Sequence, residues 1–519
     1  MSTAFDMQKG NSCDIFDTII ARRCVYPNFI FYFMEERLGI AGFCKARILA
    51  SHMAANKHEG NHTFSNIYDE LNNLINLSSA ERKCIMDLEI SIELENIIPV
   101  AENIKKLNID TALITDMYLP DDAIRSLLAK AGVKNTHLII KSSTGKLTGK
   151  LWKNLRENGF HFDHLGDNKY SDIKMAKNAG MNASLASSTE PTFFEKLLLA
   201  SNLTNLAFSI REARLCSCKP FRDHSAINDI KYDIDLANFL SDLQSDINLP
   251  MLVKIAFFIF DLYSNSTQKH NLLFSSRGSY LLFRLCKLLS EEMGYENLEC
   301  IYWLSSRDAR IKGSKDYIDY CLSIAGEYTV FIDLTGSGVS FTKFKNCIER
   351  QANITNINFM VGIYNDPASL DHSKRIFERT GIDPTRSDIA PLYCFRLDEL
   401  THDIKLPEFL NYSPEKKVLD VVRLADSYLP IREPYEFDSI PKEMVDFSSS
   451  YCITLVETAA NIIAQNYNKI RDELRSDSFN CLLKNSILRH FSPFGRVFNE
   501  FFYEGHLRSE ILHVNRVYD

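Results

Sequence analysis

The chain has no long run of charge of one sign: its 59 Lys+Arg and 67 Asp+Glu, a formal net charge of −8, are spread along 519 residues. That argues against a nucleic-acid track or a polybasic membrane patch. The 13 cysteines include neither a CxxC pair nor a Cys/His spacing of the zinc type, so they read as reduced core thiols. Cys216 and Cys218, in "RLCSCKP", are the one close pair and read as a surface accident. The opening "MSTAFDMQKGNSCD" lacks the apolar core of a signal peptide. The most apolar segment, "MLVKIAFFIFDLY" (251–263), is broken by Lys254 and Asp261 and is too short to span a bilayer. The expectation is a cytoplasmic protein with a buried helix there, no membrane span and no nucleic-acid partner. Internal repeats and low-complexity tracts are missing too.

What is present describes a globular chain with ample core, 45% hydrophobic and 24% charged, and too long for a single core. Short apolar runs alternate with helical stretches up to about residue 200. "TALIT" (111–115), "HLIIK" (137–141), "DHLGD" (163–167) and "NASLAS" (182–187) read as strands, with helices such as "PDDAIRSLLAKAG" and "SDIKMAKNAGM" between them. This is the pattern of a parallel sheet with crossover helices, interrupted over about 25–100 by a mostly helical insert. A helical linker is expected over 201–250. A second α/β domain of the Rossmann-like type follows over 251–395, with strands in "NLLFSSRGSYLLF", "CIYWLSSRDARI", "YTVFIDLTGSG" and "NFMVGIYND". The remainder, 396–519, reads as mostly helical.

Side chains that do chemistry on an open parallel sheet collect at the carboxyl ends of its strands. Four such ends in the first domain carry suitable groups. Asp14 closes "SCDIFDT", Thr115 closes "TALIT", Lys146 lies in "SSTGKLTGK", and "GDNKYSD" supplies Asp167 and Asp172. Phosphoryl transfer to a carboxylate needs these types: an aspartate to attack, a hydroxyl and an ammonium to hold phosphoryl oxygens, and further carboxylates for Mg²⁺. Taken one at a time, each has an ordinary alternative, a helix cap or a solvated turn. Taken in order, the set resembles the haloacid dehalogenase (HAD) superfamily, whose four motifs match as "DIFDT", "ITD", the lysine of "GKLTGK" and "GDNKYSD".

More narrowly, "CDIFDTII", "ITDMYLP", "GKLTGKLW" and "HLGDNKYSDIKMAKNAGM" resemble a bacterial branch of HAD hydrolases often associated with surface-polysaccharide synthesis. The likeness covers residues 12–190. It implies a HAD-type parallel Rossmann-like sheet in which Asp14 is the nucleophile and a Mg²⁺ ligand. Thr115 and Lys146 would hold phosphate, with Lys150 a competitor in the same loop, and Asp167 and Asp172 would bind or orient Mg²⁺. The insert would be a helical C1 cap that excludes water. Family phosphatases carry a second acid/base Asp two residues after the nucleophile, where this chain has Phe16. Asp17 substitutes only if the chain already turns there, since neighbouring side chains in a strand face opposite ways. "MQKGNSC", before Asp14, is also polar for a central strand.

The second domain holds another constellation. "LLFSSRGS" and "YWLSSRDA" each run from apolar strand through two serines to an arginine, Arg277 and Arg307, one βαβ step apart. "VFIDLTGSGVSF" adds Asp333, Thr335, Gly336, Ser337 and Gly338, a small-residue turn suited to bring backbone N–H groups to a phosphate. It loosely resembles the phosphoribosyl pyrophosphate loop of type I phosphoribosyltransferases, and is not a P-loop because no GK[ST] follows. An anion site and a tight turn with ion-paired arginines are both compatible with this text.

The expected function is a Mg²⁺-dependent phosphohydrolase or phosphotransferase acting through an aspartyl-phosphate on a small phosphorylated metabolite, with a sugar phosphate as one candidate. A second anionic ligand, such as a nucleotide or phosphoribosyl pyrophosphate, would belong to the second domain. The alternatives are a catalytically weak ligand-binding or regulatory protein, or a transferase-like second domain whose product the first domain trims.

Overall fold

Parallel strands require crossovers long enough to return the chain to the same end of a sheet, and the chain supplies them twice. The computed structural model describes residues 10–133, 138–142, 144–218, 241–349, 356–365, 391–397, 410–411, 417–433 and 442–487. Expectations that touch 1–9, His137, the 219–240 part of the join or 488–519 lie outside these residues. Two parallel five-stranded sheets make the protein α/β and Rossmann-like. The chain divides into two compact units, Met1–Lys196 with Arg211–Cys218, and Leu197–Ile210 with Lys219–Asp519. Within the stretch read as a linker, Thr204–Cys216 is a helix whose residues to Ile210 group with the second unit and those from Arg211 with the first.

In the first unit the strands are β1 (Gly10–Asp14), β2 (Ile20–Arg22), β3 (Ile97–Pro99), β4 (Ala112–Thr115), β5 (Ile139–Lys141), β6 (Phe162–Gly166) and β7 (Asn182–Leu185). The main sheet runs β5-β4-β1-β6-β7, the doubly wound order whose direction reverses between β1 and β6. Register Asp14↔Ile114 and Cys13↔Leu165 sets the nucleophile candidate level with its neighbours. The polarity of β1 has a local cause: Ser12 Oγ lies 2.9 Å from His164 Nδ1 on the adjacent strand, so a buried hydroxyl is satisfied across the sheet. On one face Ala112, Ile114, Trp152, Phe162, Ala176 and Met181 form a closed core.

Between β2 and β3, which pair antiparallel, the chain makes four helices, α1 (Phe29–Leu38), α2 (Phe43–Lys57), α3 (Phe64–Ile75) and α4 (Ser79–Asn96). Their ends are specified locally. Thr63 with Asn66 and Ser78 with Glu81 form capping boxes, and Gly39 closes α1 in the left-handed conformation at φ 65°. Inside this lobe Arg47 and Glu89, both fully buried, make a bidentate pair at 2.7 Å, and Tyr68 Oη donates to Glu89 at 2.8 Å.

In the second unit the sheet runs β12-β11-β10-β8-β9, built from β8 (His270–Ser275), β9 (Leu298–Trp303), β10 (Tyr328–Gly336), β11 (Asn356–Asn365) and β12 (Leu392–Leu397). Its direction reverses between β8 and β10. The helix Ser241–Tyr263 begins ten residues before the apolar run read from sequence, so by length (23 residues) and hydropathy (1.4) it could cross a membrane. Length therefore does not exclude a span; burial of 83% of that window identifies a core helix instead. The region after 396 is not simply helical: β13 (Val418–Leu424) and β14 (Ser427–Arg432) form a hairpin before the long helix Lys442–Arg475. Val418 and Val421 are driven into the core around Trp303 and Phe331, which is why the hairpin forms there.

All thirteen cysteines are free. Cys218 is buried and Cys216 half-buried, so this pair is not a surface feature.

Candidate metal and phosphate site

The sheet order of the first unit brings the ends of β1, β4, β5 and β6 to one edge, and the predicted residues meet there. Lys146, 5% exposed, is the lysine that enters; Lys150 is exposed on the following helix. Lys146 Nζ bonds Asp14 Oδ1 and lies 2.6 Å from Asp172 Oδ1. Ligand atoms of Asp14, Asp167 and Asp172 all fall within 4.8 Å of one another, so these three could hold a metal ion. Thr115 ends β4 beside them, buried, with its Oγ1 accepting from Met117 N at 3.2 Å.

Electrostatics in this cluster is unbalanced. Three carboxylates face one ammonium, and like charges about 4–5 Å apart cost on the order of 3–4 kcal/mol at an effective dielectric of about 20. One lysine cannot offset all of that. Burial, with Asp172 and Asp167 adding to it and Lys146 opposing, pushes the Asp14 carboxyl up to about 7. Burial acts on Asp172 in the same sense, but the adjacent His164 ring and the Lys146 ammonium outweigh it and hold Asp172 below its ordinary value. Asp167 is raised by burial, then by Asp17 and Asp172. The Lys146 ammonium gains more from Asp14 and Asp172 than burial takes away, so its pKa is raised. A hard divalent cation with oxygen ligands is the species such a donor set fits.

Several contributors were not singled out from sequence. Thr18, fully buried, donates toward Asp14 Oδ2 at 3.3 Å and Asp167 Oδ1 at 3.2 Å, bridging the two carboxylates. Its place at the end of "DIFDT" was the available signal. Asp116 accepts from Ser142 Oγ and from Lys146 N (3.2 Å), shaping the lysine loop. His164 stands 3.6 Å from Asp172 with its ring against Trp152. Asn168 N donates to Asp172 Oδ2 at 3.1 Å.

The chain does turn at Asp17, whose φ is 57°, so it is not simply opposed to Phe16 across a strand. Its carboxyl is raised by burial, opposed by Arg22 and Arg211. Phe16 is half-buried beneath the Arg22 guanidinium, 5.2 Å from the ring centre, and Arg22 is in turn clamped to Glu93 on α4 at 2.7 and 2.8 Å. A cavity of about 390 Å³ opens beside β1, β6 and β7, lined by Asn11, Lys106, Asp163 and Asn182 among others. It contains none of the three carboxylates, and chemistry rather than size marks the site.

In the second unit the parallel strands also bring the predicted groups to one edge, though with different partners. Arg277 takes φ 70° just after β8, its N–H bonded to Tyr302 Oη at 2.9 Å. Arg307 is the exposed first residue of the helix Arg307–Lys312 and has no hydrogen bond or ion pair among the described residues. Asp333 is engaged by an arginine the sequence reading passed over: Arg310, 4% exposed, donates to Asp333 Oδ2 at 2.7 Å and Ser275 Oγ at 3.2 Å. Its guanidinium lies over Phe341 and Trp303. Thr335 and Gly336 end β10, opposite Ile363 and Tyr364 of β11; Gly336 and Gly338 have φ 152° and 74°, and Ser337 lies between them.

Comparison with protein-family models gives no match, and comparison with curated proteins gives none.

Proposed function

We propose that the first unit is a Mg²⁺-dependent phosphohydrolase or phosphotransferase of the HAD type, acting on a small phosphorylated metabolite such as a sugar phosphate. The observation that carries this reading is the convergence of Asp14, Lys146, Asp167 and Asp172 at the point where the sheet order reverses. Asp14, Asp167 and Asp172 would hold the ion, which when bound screens the repulsion between an anionic nucleophile and an anionic phosphate. Asp14 attacks phosphorus in line and forms an acyl phosphate as the bond to the leaving oxygen breaks. Lys146 and Thr115 hold the transferring oxygens, and Thr18 keeps Asp14 and Asp167 oriented.

The leaving oxygen needs a proton. Asp17, half-buried and with its carboxyl raised by burial above its ordinary value, is the group we assign to supply it and later to activate water. Helices α1–α4 are read as a C1-type cap that keeps bulk water from the acyl phosphate. Phe16 under Arg22 favours a second reading, a protein that binds a phosphorylated ligand and turns it over slowly or not at all. The cytoplasm and a role in polysaccharide synthesis belong to the same proposal.

The test is phosphate release by the purified full chain from an aryl phosphate and a sugar-phosphate panel. Activity should require Mg²⁺, vanish with chelator and vanish in Asp14→Asn. Full activity in Asp14→Asn would overturn the assignment, and tight metabolite binding without turnover would favour the second reading.

A further inference from the structure

The second unit has its own point at which the order of a parallel sheet reverses. In doubly wound sheets small ligands bind outside the carboxyl ends of the strands, where the order reverses. Here that point lies between β8 and β10. The last paired residues, Phe274↔Ile332, place Ser275 one step on beside Asp333, so the "SSRGS" loop leaves the sheet alongside the end of β10, which runs on to Gly336 paired with β11.

Both loops lead into full helices, Tyr280–Glu292 and Val339–Glu349. Ser276 Oγ clasps the neighbouring "SSR" loop, donating to Ser305 O at 2.5 Å and accepting from Ser305 N at 3.0 Å. That clasp holds the segments bearing Arg277 and Arg307 together at one edge. A left-handed backbone at a residue with a long side chain is strained and persists where surroundings enforce it; at Arg277 the bond from its N–H to Tyr302 Oη does so.

Charge is the second observation. Asp333 is neutralised by the buried Arg310, and Asp308 is paired with Lys417 at 2.7 Å. Among the described residues these two acids are thus occupied, while Arg307 has no described partner. The third observation is an unsatisfied group: Ser279 Oγ is fully buried at the head of Tyr280–Glu292 without a hydrogen-bond partner among the described residues, although such groups are almost always paired.

We propose that this edge of the second unit binds a small phosphorylated molecule through its phosphate, held by Arg277, Arg307 and the backbone of the 336–339 turn. Arg310 is a positioning residue that neutralises Asp333 so that a second anion can approach.

The experiment is calorimetry on the full chain in chelator with inorganic pyrophosphate, which separates this site from any metal-dependent binding in the first unit. One saturable site is expected, about ten-fold weaker in Arg277→Ala and in Arg307→Ala and retained in Asp14→Asn. Arg307 is exposed, so its variant should fold. Trp303 lies beneath Arg310, and the chain has only two tryptophans. In a Trp152→Phe background its fluorescence should therefore follow the same binding curve. Absence of saturable binding below about 1 mM, or wild-type affinity in both arginine variants, overturns the proposal.

Discussion

Gly166 and Asp172 stand so close that a Cβ built on Gly166 would lie 2.5 Å from the Asp172 Cβ and 2.6 Å from its Cγ. The last residue of β6 therefore has to be glycine for the second carboxylate to sit against the strand end. Gly166→Ala should push Asp172 away from Lys146. Mg²⁺ affinity measured by calorimetry should fall about ten-fold or more, with a stability loss of about 1–3 kcal/mol from overpacking. Unchanged Mg²⁺ affinity would mean Asp172 is not a ligand.

Asp14 gives a pH dependence with a definite sign. Its carboxyl is raised from 3.8 to about 7, so between those values the folded chain keeps a proton that the unfolded chain has lost. Stability in chelator should fall as pH rises through that window. Asp14→Asn, although inactive, should flatten the profile and raise stability at pH 8 by about 1–3 kcal/mol. Thermal melts from pH 5 to 8 check this, and a variant less stable than wild type at pH 8 would contradict it.

Proton transfer is tested by two substitutions read together. Asp17→Asn should lower kcat by about 10²- to 10⁴-fold with little change in KM. Adding Phe16→Asp should restore part of that loss. If Asp17→Asn leaves kcat intact, the proton comes from elsewhere.

The Arg47–Glu89 pair is completely out of water, so breaking it costs more than it contributes. Arg47→Met leaves Glu89 buried without its partner and should cost about 3–5 kcal/mol in urea unfolding, whereas Arg47→Met with Glu89→Leu should recover most of that. Equal losses in the single and double variants would show that the pair itself holds the lobe together.

How much could be read beforehand follows from what each residue depends on. Asp14 and Asp167 were legible because they sit at or just after strand ends, which follow from local apolar runs; Lys146 and Asp172 lie in short helical turns beyond β5 and β6 and were legible from their place in the motif order. Thr18 and Arg310 were not, since their roles depend on turn and helix phase: Arg310 is buried while Arg307, three residues earlier on the same short helix, is exposed. The β13–β14 hairpin lacks an Asn-Gly turn; Ala425 takes φ 53° instead, and packing of Val418 and Val421 decides the outcome. The start of the helix Ser241–Tyr263 is polar, and burial in the second unit rather than hydropathy extends it.

Arg22 pairs with Ile97 across β2 and β3, so everything from residue 23 to 96 leaves the sheet and returns to it at adjacent points. A segment joined this way behaves as a module. Its removal or exchange for another helical lobe closes a short gap and costs little loop entropy. Among the described ties that would have to be redesigned are the Arg22–Glu93 clamp at the base of the lobe and the contacts of Tyr118 with Glu89 and Phe64. Substrate preference could thus diverge by trading the lobe while the carboxylates beneath it stay as they are.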